Sequence, residues 1–175
     1  MTVYINKSSF KTKIGTMYYL WEYTGGRTAV LYMGIGKEAF LWYVSKIKNN
    51  FRNPEKFSLT NKRSADIENK ISSYLDGKIK SLNLKVKFLS GTQFQKKVWN
   101  TAVAIPYGRT VSYKKLADIS GYGKAWRAVG SALKKNPVIL AVPCHRVINQ
   151  NGSISKSIAG KKVKKFLLDM EKQYG

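Results

Sequence analysis

The pattern of apolar and polar positions divides the chain into a strand-rich first half and a mostly helical second half. Segments 17–23 and 28–34 are rich in β-branched and aromatic residues, which favour strands. Only the letters TGGR separate them, and Gly25-Gly26 can adopt the positive φ angles of a two-residue turn. The pattern therefore predicts a β-hairpin near the start of the chain.

Two helices and a further strand are predicted after the hairpin. Apolar residues recur at helical spacing between positions 40 and 47 and again between 67 and 75. Gly77 stands where the second of these helices should end. In the stretch LKVKFL, apolar residues alternate with lysine from position 84 to 88, which predicts one half-buried strand.

The second half begins with two marked helix starts. Thr92 is followed three residues later by Gln95, a capping-box pair in which each side chain bonds the backbone amide of the other. Pro106 should end that helix, because proline removes a backbone donor. Ser112 is the expected N-cap of the next helix, which should run to Ser120 before two glycines interrupt it.

A short helix over 124–136 completes an expected helix-turn-helix, since it follows a glycine-containing turn at once. One face of this helix carries small side chains, and basic residues lie beside them. Small side chains allow close approach to a nucleic-acid groove, and they equally allow close packing against another helix. The small residues are Ala125, Ala128, Gly130, Ser131 and Ala132, and the basic ones are Arg127, Lys134 and Lys135.

A net charge of +23 makes nucleic acid the first candidate for a partner. From position 77 to 168 we count nineteen basic residues and a single acid, Asp118, so the positive field is concentrated there. The chain has no run of 18 apolar residues, and its first letters lack the layout of a secretion signal. We therefore expect an intracellular protein, cytoplasmic or nuclear, without a membrane span.

The stretch VPCHRV at 142–147 holds the only cysteine and the only histidine of the chain. A lone Cys144 after an apolar run is most often a small core residue. Here the run 138–142 predicts a strand that ends at Pro143, and a histidine or arginine nearby, such as His145 or Arg146, can lower the pKa of a thiol. One cysteine and one histidine are too few ligands for a structural zinc site, so we expect no metal.

The last helix carries a candidate carboxylate for this pair. Glu171 lies at the edge of the predicted apolar stripe, where a partly buried carboxylate needs a partner. That partner is either His145 or one of many lysines, and spacing alone favours a lysine. The stripe itself consists of Val163, Phe166, Leu167, Met170 and Tyr174.

The letters NPVILAVPCHRV, with VSYKKLA and RAVGSAL upstream, closely resemble the O6-alkylguanine-DNA alkyltransferases, or methylated-DNA–protein-cysteine methyltransferases. The resemblance runs from about position 94 to 171. It implies an α+β fold: an N-terminal domain over 1–90 with a small antiparallel sheet and helices, and a mostly helical C-terminal domain over 91–175 with the helix-turn-helix and the active-site cysteine. It also implies a single-turnover DNA-repair enzyme without a cofactor, acting on double-stranded DNA that contains O6-alkylguanine. We expect this enzyme to be a monomer.

By the same resemblance, Cys144 accepts the alkyl group irreversibly, His145 takes the thiol proton through a bridging water, and Glu171 stands behind the histidine. Asn136 would hold the turn, and Tyr113 would press on a backbone phosphate and donate a hydrogen bond to the departing guanine. The recognition helix would lie in the minor groove while the damaged base is flipped out. Its DNA-contacting residues would be Arg127, which fills the gap in the base stack, with Tyr113, Ala125, Ala128, Gly130 and Ser131. The pocket for the flipped base would be lined by Tyr113, Val147, Ile158 and Ala159.

One loop departs from the family pattern. Where relatives carry a glycine-rich segment with a tyrosine, this chain reads GSISKSIAG, with Ser157 at the tyrosine position and Ala159 at a usual glycine. The backbone amide of Ile158 could still donate to the guanine O6. We expect slow reaction with benzyl-sized adducts.

Three other functions fit parts of the pattern. A lesion-sensing DNA-binding protein of the same fold would lack the chemistry, and the presence of Cys144 argues against it. A cysteine hydrolase using Cys144, His145 and Glu171 would turn over repeatedly, and it would leave the positive charge unexplained. A plain helix-turn-helix regulator would not depend on Cys144 at all.

Overall fold

A five-stranded sheet occupies the first half of the chain in the computed structural model, which describes residues 3–51, 53–155 and 157–175. The strands are β1 (Val3–Thr12), β2 (Gly15–Thr24), β3 (Arg27–Ile35), β4 (Phe57–Asn61) and β5 (Lys85–Val86). Their order is β4-β1-β2-β3-β5. The three central strands are antiparallel, as expected, and β4 and β5 join the two edges in parallel.

The predicted hairpin is confirmed as β2 and β3. Gly25 and Gly26 form its turn with φ angles of 59° and 75°. Two positive angles in succession are what a type I′ turn requires, and glycine reaches them without a steric cost.

The strand predicted over 84–88 is wrong in length, because only Lys85 and Val86 pair with β3. The next part of that edge is occupied by a segment from the second half of the chain. The amide of Met33 donates to the carbonyl of Pro137, and the amide of Ile139 donates to the carbonyl of Met33, both at 2.9 Å. The sheet is thereby tied directly to the segment that precedes Cys144.

The helices are α1 (Lys37–Asn49), α2 (Ala65–Leu75), α3 (Gln93–Val103), α4 (Tyr113–Ile119), α5 (Trp126–Leu133) and α6 (Lys161–Tyr174). Two short strands, β6 (Val111–Ser112) and β7 (Val147–Ile148), pair in parallel. Single 3-10 turns lie at Pro54–Lys56 and Cys144–Arg146. No helix in the described part of the chain is long and apolar enough to cross a membrane.

The predicted helix starts are confirmed by their capping bonds. The Gln95 amide donates to Thr92 Oγ1 at 3.2 Å, and the Thr92 amide donates to Gln95 Oε1 at 3.0 Å, which completes the capping box. The Ser112 hydroxyl accepts from the Lys115 amide at 3.0 Å and starts α4. Helices α4 and α5 then pack on each other as the helix-turn-helix.

Two apolar cores hold these elements. Helix α1 packs on one face of the sheet through Phe40, Tyr43 and Ile47, whereas Leu41, one of the apolar residues that predicted the helix between 40 and 47, is exposed. The other face joins α2 to the helices of the second half in one continuous core. This core crosses position 90, so the division into domains at 90/91 stays a prediction.

The buried face of α6 is rotated from the predicted stripe. Phe166 and Tyr174 are 37% and 45% exposed, while Lys164 and Glu171 are each 1% exposed. Burying two charged groups on one helix is unfavourable unless partners satisfy them. Those partners belong to the candidate site.

Candidate functional site

Cys144 starts a single 3-10 turn that the preceding loop holds in place. The strand predicted over 138–142 is wrong: the segment forms only isolated bridges, and Leu140 has a φ of 67°. Such an angle is unfavourable for a branched side chain, so the fold must impose it. Asn136 supplies part of that constraint. Its Nδ2 donates to the carbonyl of Val142, and its Oδ1 accepts from the amide of Val138, both at 2.9 Å.

Cys144 is 7% exposed, and burial raises the pKa of its thiol above the ordinary value. Two neighbours act in the opposite direction, since a hydrogen bond from the Asn136 side chain and the positive charge of Lys164 both favour the thiolate. A resting thiol in this position needs a base before it can act as a nucleophile.

Glu171 lies at the centre of a buried polar cluster beside that turn. Its Oε1 is 2.7 Å from His145 Nε2, and its Oε2 accepts from the Gly108 amide at 3.0 Å. The Arg146 guanidinium donates to both carboxylate oxygens, through Nε at 3.0 Å to Oε2 and through Nη2 at 3.0 Å to Oε1. The hydroxyl of Tyr74, on α2, also donates to Oε1. Of the two partners that the sequence left open for Glu171, the structure has the histidine and no lysine among the described contacts.

These donors keep Glu171 ionised. Burial by itself raises the pKa of this carboxyl, but the hydrogen bonds from His145, Arg146 and the Tyr74 hydroxyl lower it to about 2. Sequence reasoning missed Tyr74 and Arg146 as members of the site. Arg146 carries a signal, since it lies within the quoted VPCHRV stretch, whereas nothing in the sequence marks Tyr74 beyond its place on the buried side of a helix.

The ionised carboxylate determines which ring nitrogen of His145 carries the proton. Glu171 can only accept, so the Nε2 that faces it must donate. Burial lowers the pKa of His145 below its ordinary value, against the opposing effect of Glu171, and this favours the neutral ring. In that state Nδ1 has a free lone pair and can accept a proton.

The pairing of β6 with β7 brings Tyr113 to the turn. Val111 and Ser112 lie in register with Val147 and Ile148, so α4 begins beside the residues that follow Cys144. The Tyr113 hydroxyl is 2.6 Å from Ser155 Oγ, and burial raises the pKa of this phenol.

Lys164 is a further site residue that the sequence did not single out. Its Nζ donates to the carbonyl of Val147 and lies 3.5 Å from the Tyr113 hydroxyl. Burial lowers its pKa, while the nearby Cys144 thiol, once ionised, raises it. One lysine among several in KKVKKF gave no sign that it would be buried.

Helix α5 presents part of its predicted small face to solvent. Arg127, Ala128 and Ser131 are exposed and Ala125 is partly exposed, whereas Ala132 is buried in the core. Gly130 faces the other way, because a Cβ at this position would lie 3.6 Å from the ring of Tyr113. The small residues are therefore divided between the exposed face of α5 and its packing against neighbouring elements.

The loop that departs from the family pattern lies on another side of the site. Ile158 is 46% exposed, and together with Ala159 and Asn136 it borders a cavity that reaches β3 and α1. Among the described residues that line this cavity, Cys144 is missing. The proposed contribution of Ile158 and Ala159 to the base pocket stays a prediction.

No group of three or more histidine, cysteine or carboxylate side chains in the described ranges is placed to hold a metal ion. The chemistry available here is that of a buried thiol, a neutral imidazole ordered by a carboxylate, a phenol and an ammonium group. This combination suits transfer of a group to sulfur with a proton moved nearby.

The sequence of the chain is similar to those of known proteins. Residues 93–173 match the sequence model of the DNA-binding domain of 6-O-methylguanine DNA methyltransferase. The chain is 38% identical over 138 residues to a methylated-DNA–protein-cysteine methyltransferase of Methanosarcina acetivorans, covering 78% of this chain and 88% of the relative. It is 48% identical over 103 residues to the inducible methylated-DNA–protein-cysteine methyltransferase of Bacillus subtilis, covering 59% of this chain and 57% of that relative.

Among solved structures, the Mycobacterium tuberculosis OGT in complex with DNA superimposes with a TM-score of 0.76 at 25% identity. The match covers 99% of this chain and 95% of that one. The α+β fold is thus shared over almost the whole length, although several curated relatives align over only about 60% of their own length.

Proposed function

The chain belongs to the family of methylated-DNA–protein-cysteine methyltransferases, and on that premise we propose that it repairs O6-alkylguanine in DNA by direct transfer of the alkyl group to Cys144. The observation that carries the proposal is the bond between His145 Nε2 and Glu171 Oε1, next to the only thiol of the chain. A buried thiol, a histidine held in one tautomer and an ionised carboxylate form a nucleophile, a base and an orienting group.

The proposed reaction needs a thiolate, because the carbon of an alkyl ether is a poor electrophile. His145 Nδ1 takes the thiol proton through a water molecule, and Glu171 stabilises the resulting imidazolium. The sulfur of Cys144 then attacks the alkyl carbon, the bond from that carbon to O6 breaks, and its electron pair remains on the guanine. A thioether is left on the protein. No step regenerates the thiol, so each molecule reacts once.

The leaving guanine must be stabilised as it gains negative charge. The Tyr113 hydroxyl is a suitable donor, since it lies in the first turn of α4, next to the strand pair that borders the Cys144 turn. The ammonium of Lys164 lies close enough to both Tyr113 and Cys144 to favour negative charge on either. Donors fixed in a water-poor site stabilise developing charge at little cost in reorganisation.

The family binds DNA, and the surface of this chain suits that partner. Helix α5 offers Arg127 and Ala128 to solvent, and Lys134 and Lys135 follow it on the exposed side. We propose that this helix enters the minor groove and that the damaged base is flipped toward Cys144. Extruding a base costs a few kcal/mol, which backbone contacts and an inserted side chain can offset.

The experiment is the intact mass of the protein after incubation with a duplex containing O6-methylguanine, beside the Cys144→Ser variant. We expect the parent to gain one methyl group, mapped to Cys144 by peptide analysis, and the variant to gain none. Unchanged mass with retained DNA binding would indicate a lesion sensor and would overturn the proposal. Repeated turnover without a mass change would indicate a hydrolase instead.

A further inference from the structure

A large exposed aromatic side chain stands beside the residue expected to enter the base stack. Trp126 is the first residue of α5 and is 45% exposed. The Arg127 guanidinium carbon lies 4.9 Å from the centre of its ring, the geometry of a cation–π contact. A tryptophan with this much exposed surface stabilises the core less than a buried one does. Its exposed ring is therefore available to contact a partner.

The position of the indole connects it to the candidate site. Trp126 lines an open concavity together with Tyr113, Lys114 and the turn at 149–151. Tyr113 is also the residue whose hydroxyl reaches Ser155 and Lys164, near the thiol. The concavity therefore lies beside the first turn of α4, between the start of α5 and the turn at 149–151.

The contact with the ring restricts where Arg127 can point. A free arginine samples many rotamers, and ordering it on binding costs conformational entropy. A flat guanidinium held against a flat indole has fewer states to lose. An exposed aromatic face also stacks on bases or packs against sugars without requiring a particular sequence.

We propose that Trp126 and Arg127 act as one wedge in the minor groove. Arg127 enters the space that the extruded nucleotide leaves. The indole packs against the neighbouring sugar and base, and it restricts the Arg127 guanidinium to the orientation that enters the groove. The inference rests on the proposed function, because it assigns a DNA-positioning residue to the same reaction. Trp126 has no part in the chemistry at sulfur.

The test compares duplex DNA with the free base. The rate of Cys144 methylation is measured by mass for the parent, Trp126→Ala, Trp126→Phe and Trp126→Leu, with an O6-methylguanine duplex and with free O6-methylguanine. We expect Trp126→Ala to lower the ratio of duplex to free-base rate roughly tenfold. Trp126→Phe should keep most of the parental ratio of duplex to free-base rate, because phenylalanine has a flat ring. Trp126→Leu should lower that ratio as Trp126→Ala does. Tyr23→Ala, which removes another exposed ring on β2, is the control and should keep the parental ratio.

A double-mutant cycle tests whether the two residues act together. Binding of the lesion duplex is measured by fluorescence anisotropy for Trp126→Ala, Arg127→Ala and the double variant, all in a Cys144→Ser background that cannot react. We expect the double variant to lose roughly two- to fivefold less affinity than the product of the single losses. Independent losses, or a ratio within twofold of the parent for Trp126→Ala, would overturn the wedge. Failure of the parent to gain a methyl group would instead overturn the proposed function, and the binding cycle would still decide the wedge.

Discussion

The hydroxyl of Tyr74 donates a hydrogen bond to the carboxylate of Glu171, 97 positions later in the chain. Tyr74 lies on α2 in the strand-rich half, and Glu171 lies on α6 in the helical half. The bond ends on the same oxygen that faces His145. The strand-rich half of the molecule thus takes part in holding the group that orients the histidine.

Replacing Tyr74 by phenylalanine should destabilise the fold, because a buried charged acceptor loses one donor. We expect a loss of about 1.5–3 kcal/mol in the free energy of unfolding, measured by urea denaturation. Tyr107→Phe is a matched control. Its hydroxyl is buried beside Tyr74 and has no hydrogen-bond partner among the described residues, so the same chemical change removes no bond. Equal losses of unfolding free energy in Tyr74→Phe and Tyr107→Phe would contradict a stabilising hydrogen bond from Tyr74 to Glu171.

The stability of the protein should fall steeply in acid because of Glu171. Its pKa is about 2 in the folded protein, against about 4.3 for an unfolded glutamate. Between these values the unfolded chain binds more protons, so stability is complete above about pH 5 and is lost as the pH falls toward 2. The full effect is up to about 3 kcal/mol.

Glu171→Gln is the variant that checks this dependence. Its unfolding free energy should change less between pH 2 and pH 5 than that of the parent, although its absolute stability is lower because Arg146 loses its partner. Asp169→Asn, an exposed position on the same helix, should keep the parental slope. A parental slope in Glu171→Gln would show that other groups dominate acid unfolding.

Removing the ammonium of Lys164 should make the thiol less reactive. The charge of Lys164 lowers the pKa of Cys144, so Lys164→Met should raise that pKa further and displace the rate profile to higher pH. The rate of methylation by free O6-methylguanine, measured against pH, reports the displacement. Lys165→Met is the neighbouring control, since its ammonium is exposed and pairs with Asp169. Identical profiles of rate against pH for Lys164→Met and Lys165→Met would show that Lys164 does not influence the reactivity of the thiol.

Binding to DNA should weaken strongly with salt if the basic surface is used. Each phosphate contact adds about 0.9 to the slope of log affinity against log salt for duplex DNA. We expect the combined change Lys134→Gln and Lys135→Gln to lower that slope by up to about 2, measured by anisotropy between 50 and 200 mM salt. Lys48→Gln on α1 should leave it unchanged. Binding that is indifferent to salt would count against this surface.

Benzyl-sized adducts should react slowly, because Ala159 stands at a usual glycine and Ser157 replaces a tyrosine in the loop. The measurement is the ratio of benzyl to methyl transfer rates from otherwise identical duplexes. Ala159→Gly should raise that ratio if the loop limits the pocket. Rapid benzyl transfer by the parent would refute the expectation.

Features that depend on neighbouring residues could be predicted from the sequence. The turn at Gly25-Gly26 needs only two residues that tolerate positive φ, and the capping bonds of Thr92 and Ser112 reach three residues along the chain. The pair Cys144 and His145 could be recognised because they are adjacent and unique. Such features form independently of the tertiary fold, because the groups that stabilise them are close together in the sequence.

The sequence by itself therefore determined the hairpin, the helix-turn-helix and the adjacency of the one cysteine and the one histidine at positions 144 and 145. Only the tertiary structure decided that residues 138–142 form a loop, because the edge of β3 takes up Pro137 and Ile139. It also decided that Lys164 and Glu171 face inward on α6. The hydropathy pattern placed Glu171 only at the edge of the apolar stripe and gave no sign that Lys164 would be buried. Their full burial becomes tolerable only where distant groups satisfy them. The carbonyl of Val147 accepts a hydrogen bond from Lys164. The carboxylate of Glu171 accepts hydrogen bonds from Tyr74, Gly108, His145 and Arg146.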